Sequence, residues 1–391
     1  MIMKTKRFIF YVIFTSMIFM MFTIFTSCST VQTLINDISS TVSTAIGNRS
    51  GNSNISEDIK AEATPITLKP LPVPVSYETA YSYRTNQPES LASSIKKNKT
   101  FEDLRKSNPQ NYVRSVVAEI NKTATNDFEK VKLAHDITAL LISYDAASFW
   151  SGNLPPQDYF TVLKTGKSVC EGYANVFLEF CNQLKIECKK VSGYARGVGF
   201  NLLTEQANIE SNHAWNMVKI DENWYLVDCT WDSGYMNGKV SKQEYKTDWL
   251  FTKPEHFINS HFPDNARYQL ISPELSTAEL FSLPSLDPVF YDVVSEHSDL
   301  SKINKTDSSF VLNYVENPGY SLSFSVKNAK TNSAVKNGAS VQRNTIENSD
   351  KKTVTVTFKT STTGNYIVDI FCFKDGSRTG WSCGQFIVEK L

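Results

Sequence analysis

The spacing of apolar residues changes once along this chain, and that change sets its fold class. Between Asn111 and Tyr144, Val113, Val116, Val117 and Ile120, and then Val131, Leu133, Ile137, Leu140 and Leu141, recur at intervals of three and four. That interval lines one face of a helix and predicts two helices there. A further stripe, Tyr173, Val176, Phe177, Phe180, Cys181 and Leu184, follows Ser168-Val169 and puts Cys170 at a helix start. Beyond it the pattern becomes short runs of β-formers bounded by Gly, Asn and Asp: Glu187 to Tyr194, His213 to Ile220 and Trp224 to Trp231. Helices followed by antiparallel strands make an α+β unit.

Near Pro284 the character shifts again. Residues 308–391 alternate as strands, at Phe310 to Tyr314, Ser321 to Val326, Thr353 to Phe358, Tyr366 to Phe373 and Gly384 to Val388, which predicts a β-sandwich of the Ig-like kind. With 391 residues the chain is too long for one ordinary core. The expected units are 76–285 and 300–391, the second a spacer or docking module without a catalytic constellation. Cys372 and Cys383 can face each other across its last hairpin, but sequence alone does not fix their pairing.

The N-terminus reads as an address. Lys4, Lys6 and Arg7 precede an apolar run from Phe8 to Ile24 and the small-residue site Phe25-Thr26-Ser27-Cys28. The layout resembles a bacterial lipoprotein signal, in which Cys28 is acylated and anchors the chain to a membrane. An uncleaved anchor helix is the other reading. Both export the remainder, and 29–75, rich in Ser, Thr, Asn and then Pro, is expected to be a tether. Lys plus Arg equals Asp plus Glu at 40 each, with no basic run beyond short pairs, so no nucleic-acid partner is expected.

A thiol becomes a useful nucleophile when its pKa is lowered. A helix N-terminus and a neighbouring imidazole both do that, and Cys170 has the first. Gly172 reads as space for a substrate to approach, and the Cys170 amide as a donor to an oxyanion. His213-Ala214-Trp215-Asn216 opens one strand and Trp224 to Trp231 forms the next, so the two should be a hairpin. If Asp221-Glu222 is its turn, Asp228 lies opposite Trp215 and diagonal to His213 on one face. A loop one residue longer or shorter would separate them.

Together, Cys170-Glu171-Gly172-Tyr173-Ala174, His213-Ala214-Trp215-Asn216 and Trp224-Tyr225-Leu226-Val227-Asp228-Cys229-Thr230-Trp231 resemble the three motifs of the transglutaminase-like superfamily. Phe251-Thr252-Lys253-Pro254-Glu255 and His261-Phe262-Pro263 are similar to its kyphoscoliosis-peptidase-like branch. The resemblance implies a papain-like core, with Cys170 as nucleophile, His213 as base and Asp228 orienting the imidazole. It does not itself imply a substrate. A protein or peptide is expected, cell-wall peptide among the options, with hydrolysis preferred to cross-linking because no residue specifies an amine site, and a tethered binding module is the contrasting class. Trp215, Tyr173, Gln157 and Tyr159 are the cleft candidates, and Trp150, Gln157 and Tyr159 are the candidates for the side chain that completes the oxyanion site. No cofactor is implied. His256 and His261, five apart among prolines, do not fit a two-histidine helical metal face, so no metal site is read.

Overall fold

The computed structural model describes residues 76–391 except 207–209, 332, 336–338 and 349–350. Cys28, the apolar run before it and the 29–75 segment lie outside the described residues. Among those described, no helix is long and apolar enough to cross a membrane.

Local chemistry sets the helices. Asn108 caps helix α1 (Pro109–Thr123), accepting from the Asn111 amide, and Pro109 occupies the first turn, where its missing N–H costs nothing. Asn126 caps α2 (Asp127–Leu141) in the same way. These two pack with α3 (Cys170–Leu184), whose Tyr173, Val176, Phe177, Phe180 and Cys181 are buried in one core with Val116, Ile120, Val131 and Ile137. Burying a side chain such as Phe177 or Phe180 stabilises by roughly 2–3 kcal/mol.

The sheet beside them is antiparallel. Its strands are β1 (Cys188–Ala195), β2 (His213–Ile220), β3 (Asn223–Val227), β4 (Leu250–Thr252) and β5 (His261–Pro263), in the order β4-β3-β2-β1-β5. Val218, Ile220, Tyr225 and Val227 face the helices, and Trp215, Met217 and Leu226 pack in a second cluster. Gly193 of β1 is required by closeness: a Cβ there would sit 2.2 Å from the Phe262 carbonyl oxygen on β5. The β2–β3 turn is Asp221-Glu222, with φ of 47° and 66°. Two left-handed residues are what a tight right-twisted hairpin demands, and the resulting register pairs Asn216 with Val227. The strand expected to run to Trp231 stops at Val227, because the Asp228 carboxylate turns the chain by accepting from the Thr230 and Trp231 amides.

The C-terminal region is two sheets around one core that includes Phe290, Tyr314, Phe358, Val368 and Phe386. One sheet runs Ser285–Leu286, Trp381–Lys390, Gly364–Lys374, Tyr320–Asn328, Ser333–Ala334, with Ile303–Thr306 parallel to Trp381–Lys390. The other runs Val294–His297, Ser309–Glu316, Lys351–Thr360, Ala339–Asn348. Cys372 and Cys383 are disulfide-bonded. The sandwich core takes in residues from Leu286 onward, ahead of the residue 300 suggested by strand alternation, because Leu286, Phe290 and Val293 are buried in it.

Polar contacts also cross the 285 boundary. Arg196, following β1, donates to the carbonyls of Asn259, Leu283 and Pro284 and pairs with Glu205 at 2.9 Å through both Nε and Nη2. Lys302 reaches the same Glu205 carboxylate at 2.9 Å. All of residues 76–391 fall in a single compact unit.

Candidate active site

Cys170 is the first residue of α3, and no side chain caps that helix. Its neighbour Gly172 does not open the site to substrate. A Cβ on Gly172 would lie 1.9 Å from Ser168 Oγ and 2.7 Å from Val162 Cγ2, so the glycine lets the helix start pack on the segment before it. Gln157 holds that segment: its Oε1 accepts from Ser168 Oγ at 2.7 Å and from the Val169 amide at 3.2 Å, while its Nε2 donates to the Pro155 carbonyl.

His213 opens β2 and Asp228 directly follows β3, so both stand at the open end of the hairpin. His213 Nε2 and Asp228 Oδ2 are 2.6 Å apart. Burial alone would raise the Cys170 thiol, but the charge and hydrogen bond of His213, with the Ala214 amide, outweigh it and hold the thiol below its ordinary value. Burial would likewise lower the His213 imidazole; Asp228 and Cys170 instead push it up to about 10. For Asp228 burial works toward the neutral acid, and His213 and His261 overcome it, keeping the carboxyl far below its usual range. The three groups therefore favour a thiolate, an imidazolium and a carboxylate.

A second imidazole completes the cluster. His261, on β5, is wholly buried and places Nε2 3.2 Å from the same Asp228 Oδ2. In the sequence this histidine stands out as part of the branch-like His261-Phe262-Pro263 run and as a residue whose spacing from His256 does not fit a metal face, but local spacing has no means of showing that β5 returns beside β1. The donor atoms of His213, Asp228 and His261 lie within 4.8 Å of one another, compact enough to suit a metal ion. Both nitrogens instead converge on one carboxylate oxygen at hydrogen-bonding distances, which is the geometry of two N–H donors sharing an acceptor.

Behind Asp228 lies a buried ionic network. His135 of α2 bridges Asp136 and Asp232 at 3.0 Å each, Lys132 pairs with Asp136 at 2.6 Å, and Asp232 accepts from the Trp249 amide. Burial would lower the His135 pKa, yet its two carboxylate partners raise it. The network fastens the 228–233 turn to the helices.

His213 faces a cavity of about 460 Å³, whose lining includes Tyr144, Phe149, Tyr235 and, from the sandwich, Asp287 and Trp381. The cleft candidates fare unevenly against it. Tyr173 is buried yet lines the cavity, its hydroxyl donating to the Ile142 carbonyl and accepting from Ser233. Trp215 is buried against His213 and His261, because its face of β2 carries the aromatic cluster. Tyr159 packs half-buried on the helical core, Gln157 supports the helix start, and Trp150 is exposed outside the cavity lining. Tyr144 and Trp381 went unrecognised in the sequence, since both are brought to the cavity by tertiary packing.

Residues 114–229 match the transglutaminase-like superfamily. The chain is similar to the kyphoscoliosis peptidase of Mus musculus, 31% identical over 52% of this chain and 32% of that protein. It is similar to the human kyphoscoliosis peptidase, 31% identical over 48% and 29% respectively. It also resembles cytokinesis protein 3 of Schizosaccharomyces pombe, 29% identical over 33% of this chain and 15% of that protein. The chain thus spans less than a third of the length of these curated relatives. The match and the two peptidases support the superfamily and the branch that the three motifs resemble.

Proposed function

We propose, from a chain whose residues 114–229 form a transglutaminase-like domain, that it is a thiol-dependent acyl-transfer enzyme acting as a peptide or amide hydrolase. The observation that carries this reading is the 2.6 Å His213–Asp228 hydrogen bond beside a Cys170 thiol of lowered pKa, with His213 lining a cavity. In the proposed cycle the Cys170 thiolate attacks the carbonyl carbon. The His213 imidazolium gives its proton to the departing amine as the C–N bond breaks, leaving an acyl-thioester. Water then attacks the thioester carbonyl, His213 takes its proton, and the acid and the thiol are released. Asp228 holds the imidazole in one tautomer and stabilises its cation throughout.

The Cys170 amide, at an uncapped helix start, is one donor to the developing oxyanion. Tyr144 is the side chain we assign as the second. It lines the cavity, and its hydroxyl, whose pKa burial raises first, is raised further by the charges of Cys170 and Asp228.

We place the enzyme at the cell envelope, anchored through Cys28, on the basic start and apolar run that precede that cysteine. The substrate class is tested by incubating the chain with peptides, glutaminyl donors and cell-wall fragments. New amino and carboxyl termini that vanish in Cys170→Ala are expected. Incorporation of an added amine without hydrolysis would make it a cross-linking enzyme. A Cys170 that alkylates no faster than free cysteine, with no turnover, would leave a binding module.

A further inference from the structure

The buried second imidazole has no part in the proposed cycle, yet its placement is specific. Asp228 Oδ1 accepts from the amides of Thr230, at 2.8 Å, and Trp231, at 3.2 Å. Those donors belong to the same turn as Asp228, so they fix only one oxygen, from one side. Oδ2 takes His213 and, from β5, His261 at 3.2 Å. Among the described residues, His261 is the one donor to this carboxylate that comes from a strand outside the β2–β3 hairpin and its turn.

The ring is held for that task. Ser260 Oγ lies 2.9 Å from His261 Nδ1, so with the hydroxyl donating there the proton sits on Nε2, facing the carboxylate. Trp231, Trp249 and Phe257 surround it, with ring centroids 4.4, 4.8 and 4.2 Å away, and Trp215 meets it edge-on. We propose that His261 is a positioning residue, a neutral N–H donor that pins Asp228 Oδ2 so that the carboxylate presents a fixed orientation to His213. The proposal rests on reading Cys170, His213 and Asp228 as a catalytic set.

Neutrality matters to the role. A cationic His261 would oppose the charge that His213 carries in the ion pair, whereas a neutral donor stabilises the carboxylate without adding one. Burial depresses the His261 imidazole to about 4; the Asp228 hydrogen bond and charge work against this, and repulsion from His213 adds to it. The titratable groups facing the ring are Asp228 and His213, with Cys170 beyond His213.

The test follows the rate of iodoacetamide alkylation of Cys170 against pH in the whole chain, for the unsubstituted protein, His261→Leu, His261→Gln and Asp228→Asn. His261→Leu should move the acid limb of the profile upward by roughly half a unit to one unit, the scale of one ordinary net hydrogen bond. His261→Gln, which keeps an N–H donor near Nε2, should return the limb toward its original position. Adding His261→Leu to Asp228→Asn should move it no further, because His261 acts through that carboxylate. A His261→Leu protein that is merely less stable, with its limb unmoved, overturns the proposal, as does a shift that adds in full to that of Asp228→Asn. Should His261→Leu fail to fold, the imidazole ¹⁵N shifts of the unsubstituted protein decide. His261 must remain the neutral Nε2–H tautomer from pH 5 to 9, and a proton on Nδ1 or an imidazolium in that range refutes the role. If instead Cys170 titrates as an ordinary thiol and His213→Ala changes nothing, the catalytic set itself fails and this role falls with it.

Discussion

His213 Nε2 and Asp228 Oδ2 meet at 2.6 Å although the two residues are fifteen apart in sequence. The relationship is made by the left-handed Asp221-Glu222 turn, which sets β2 against β3 so that Asp228 leaves the ladder beside the start of β2. Because the contact depends on register, inserting one glycine between Asp221 and Glu222 should separate the pair. Folding should be retained, since β4 and β1 still flank the hairpin, and turnover should fall at least 10²-fold. Circular dichroism with a turnover assay checks this; full activity in the insertion variant would remove Asp228 from the mechanism.

Cys170 should alkylate before Cys181 and Cys229. Both of those thiols are buried and pushed up, first by desolvation, whereas His213 outweighs burial at Cys170. Peptide mapping after brief iodoacetamide treatment identifies the labelled thiol. In His213→Ala the midpoint of labelling should rise toward the ordinary thiol value near ~8.5. A midpoint unchanged by that substitution is the adverse result.

Stability should fall on the acid side partly through His261. Its folded pKa, about 4, lies below the unfolded value of 6.5, so its contribution is complete above about 6.5 and is lost as pH falls toward 4. His213 has the opposite sign: raised to about 10, it stabilises below 6.5 and loses that contribution as pH rises through 10. Between 6.5 and 4 the unfolded state therefore binds one proton that folded His261 refuses, worth about 1.4 kcal/mol per pH unit, or about 3 kcal/mol in all. Urea unfolding of the unsubstituted protein and His261→Gln across that window should show the slope reduced by about that amount in the variant.

Glu205 serves two cations at once, Arg196 and Lys302, and its side chain is 1% exposed. Glu205→Gln leaves both cations without their carboxylate and should lower stability by about 3 kcal/mol, the usual cost of removing one partner of a buried pair. Limited proteolysis should then cut near residue 300 in the variant and spare the unsubstituted chain. Equal resistance would mean that apolar packing alone joins the sandwich to the core.

The sequence made the site's skeleton legible because its signals are local. A helical stripe places Cys170, period-two strands place His213 and Asp228, and a polar turn sets their register. What it could not show depends on residues far apart in the chain. His261 reaches Asp228 only because β5 pairs with β1. Trp215 looked like a cleft residue from its motif, but its face of the strand is covered by Trp231, Trp249 and Phe257. The strand Ala339–Asn348 escaped notice for a different reason. It is an edge strand exposed from Ser340 to Glu347, so no buried face imposes an apolar alternation on it.

Tyr144 offers the sharpest separation of binding from chemistry. Its hydroxyl is assigned to the oxyanion, which exists only after the thiolate has attacked a carbonyl. Iodoacetamide alkylation proceeds by displacement of iodide and forms no such oxyanion. Tyr144→Phe should therefore leave the rate and pH midpoint of Cys170 labelling close to those of the unsubstituted protein, while reducing turnover of an amide substrate by roughly 10²-fold or more, the usual cost of losing one oxyanion donor. The loss should appear in kcat rather than KM, because the hydrogen bond strengthens only as charge develops. Phenylalanine keeps the ring that packs at a tilt near Phe149, centroids 5.9 Å apart, so the cavity wall should persist. Equal losses in labelling and turnover would instead make Tyr144 a support for the thiolate, and an undiminished kcat would leave the Cys170 amide to stabilise the oxyanion with some other donor.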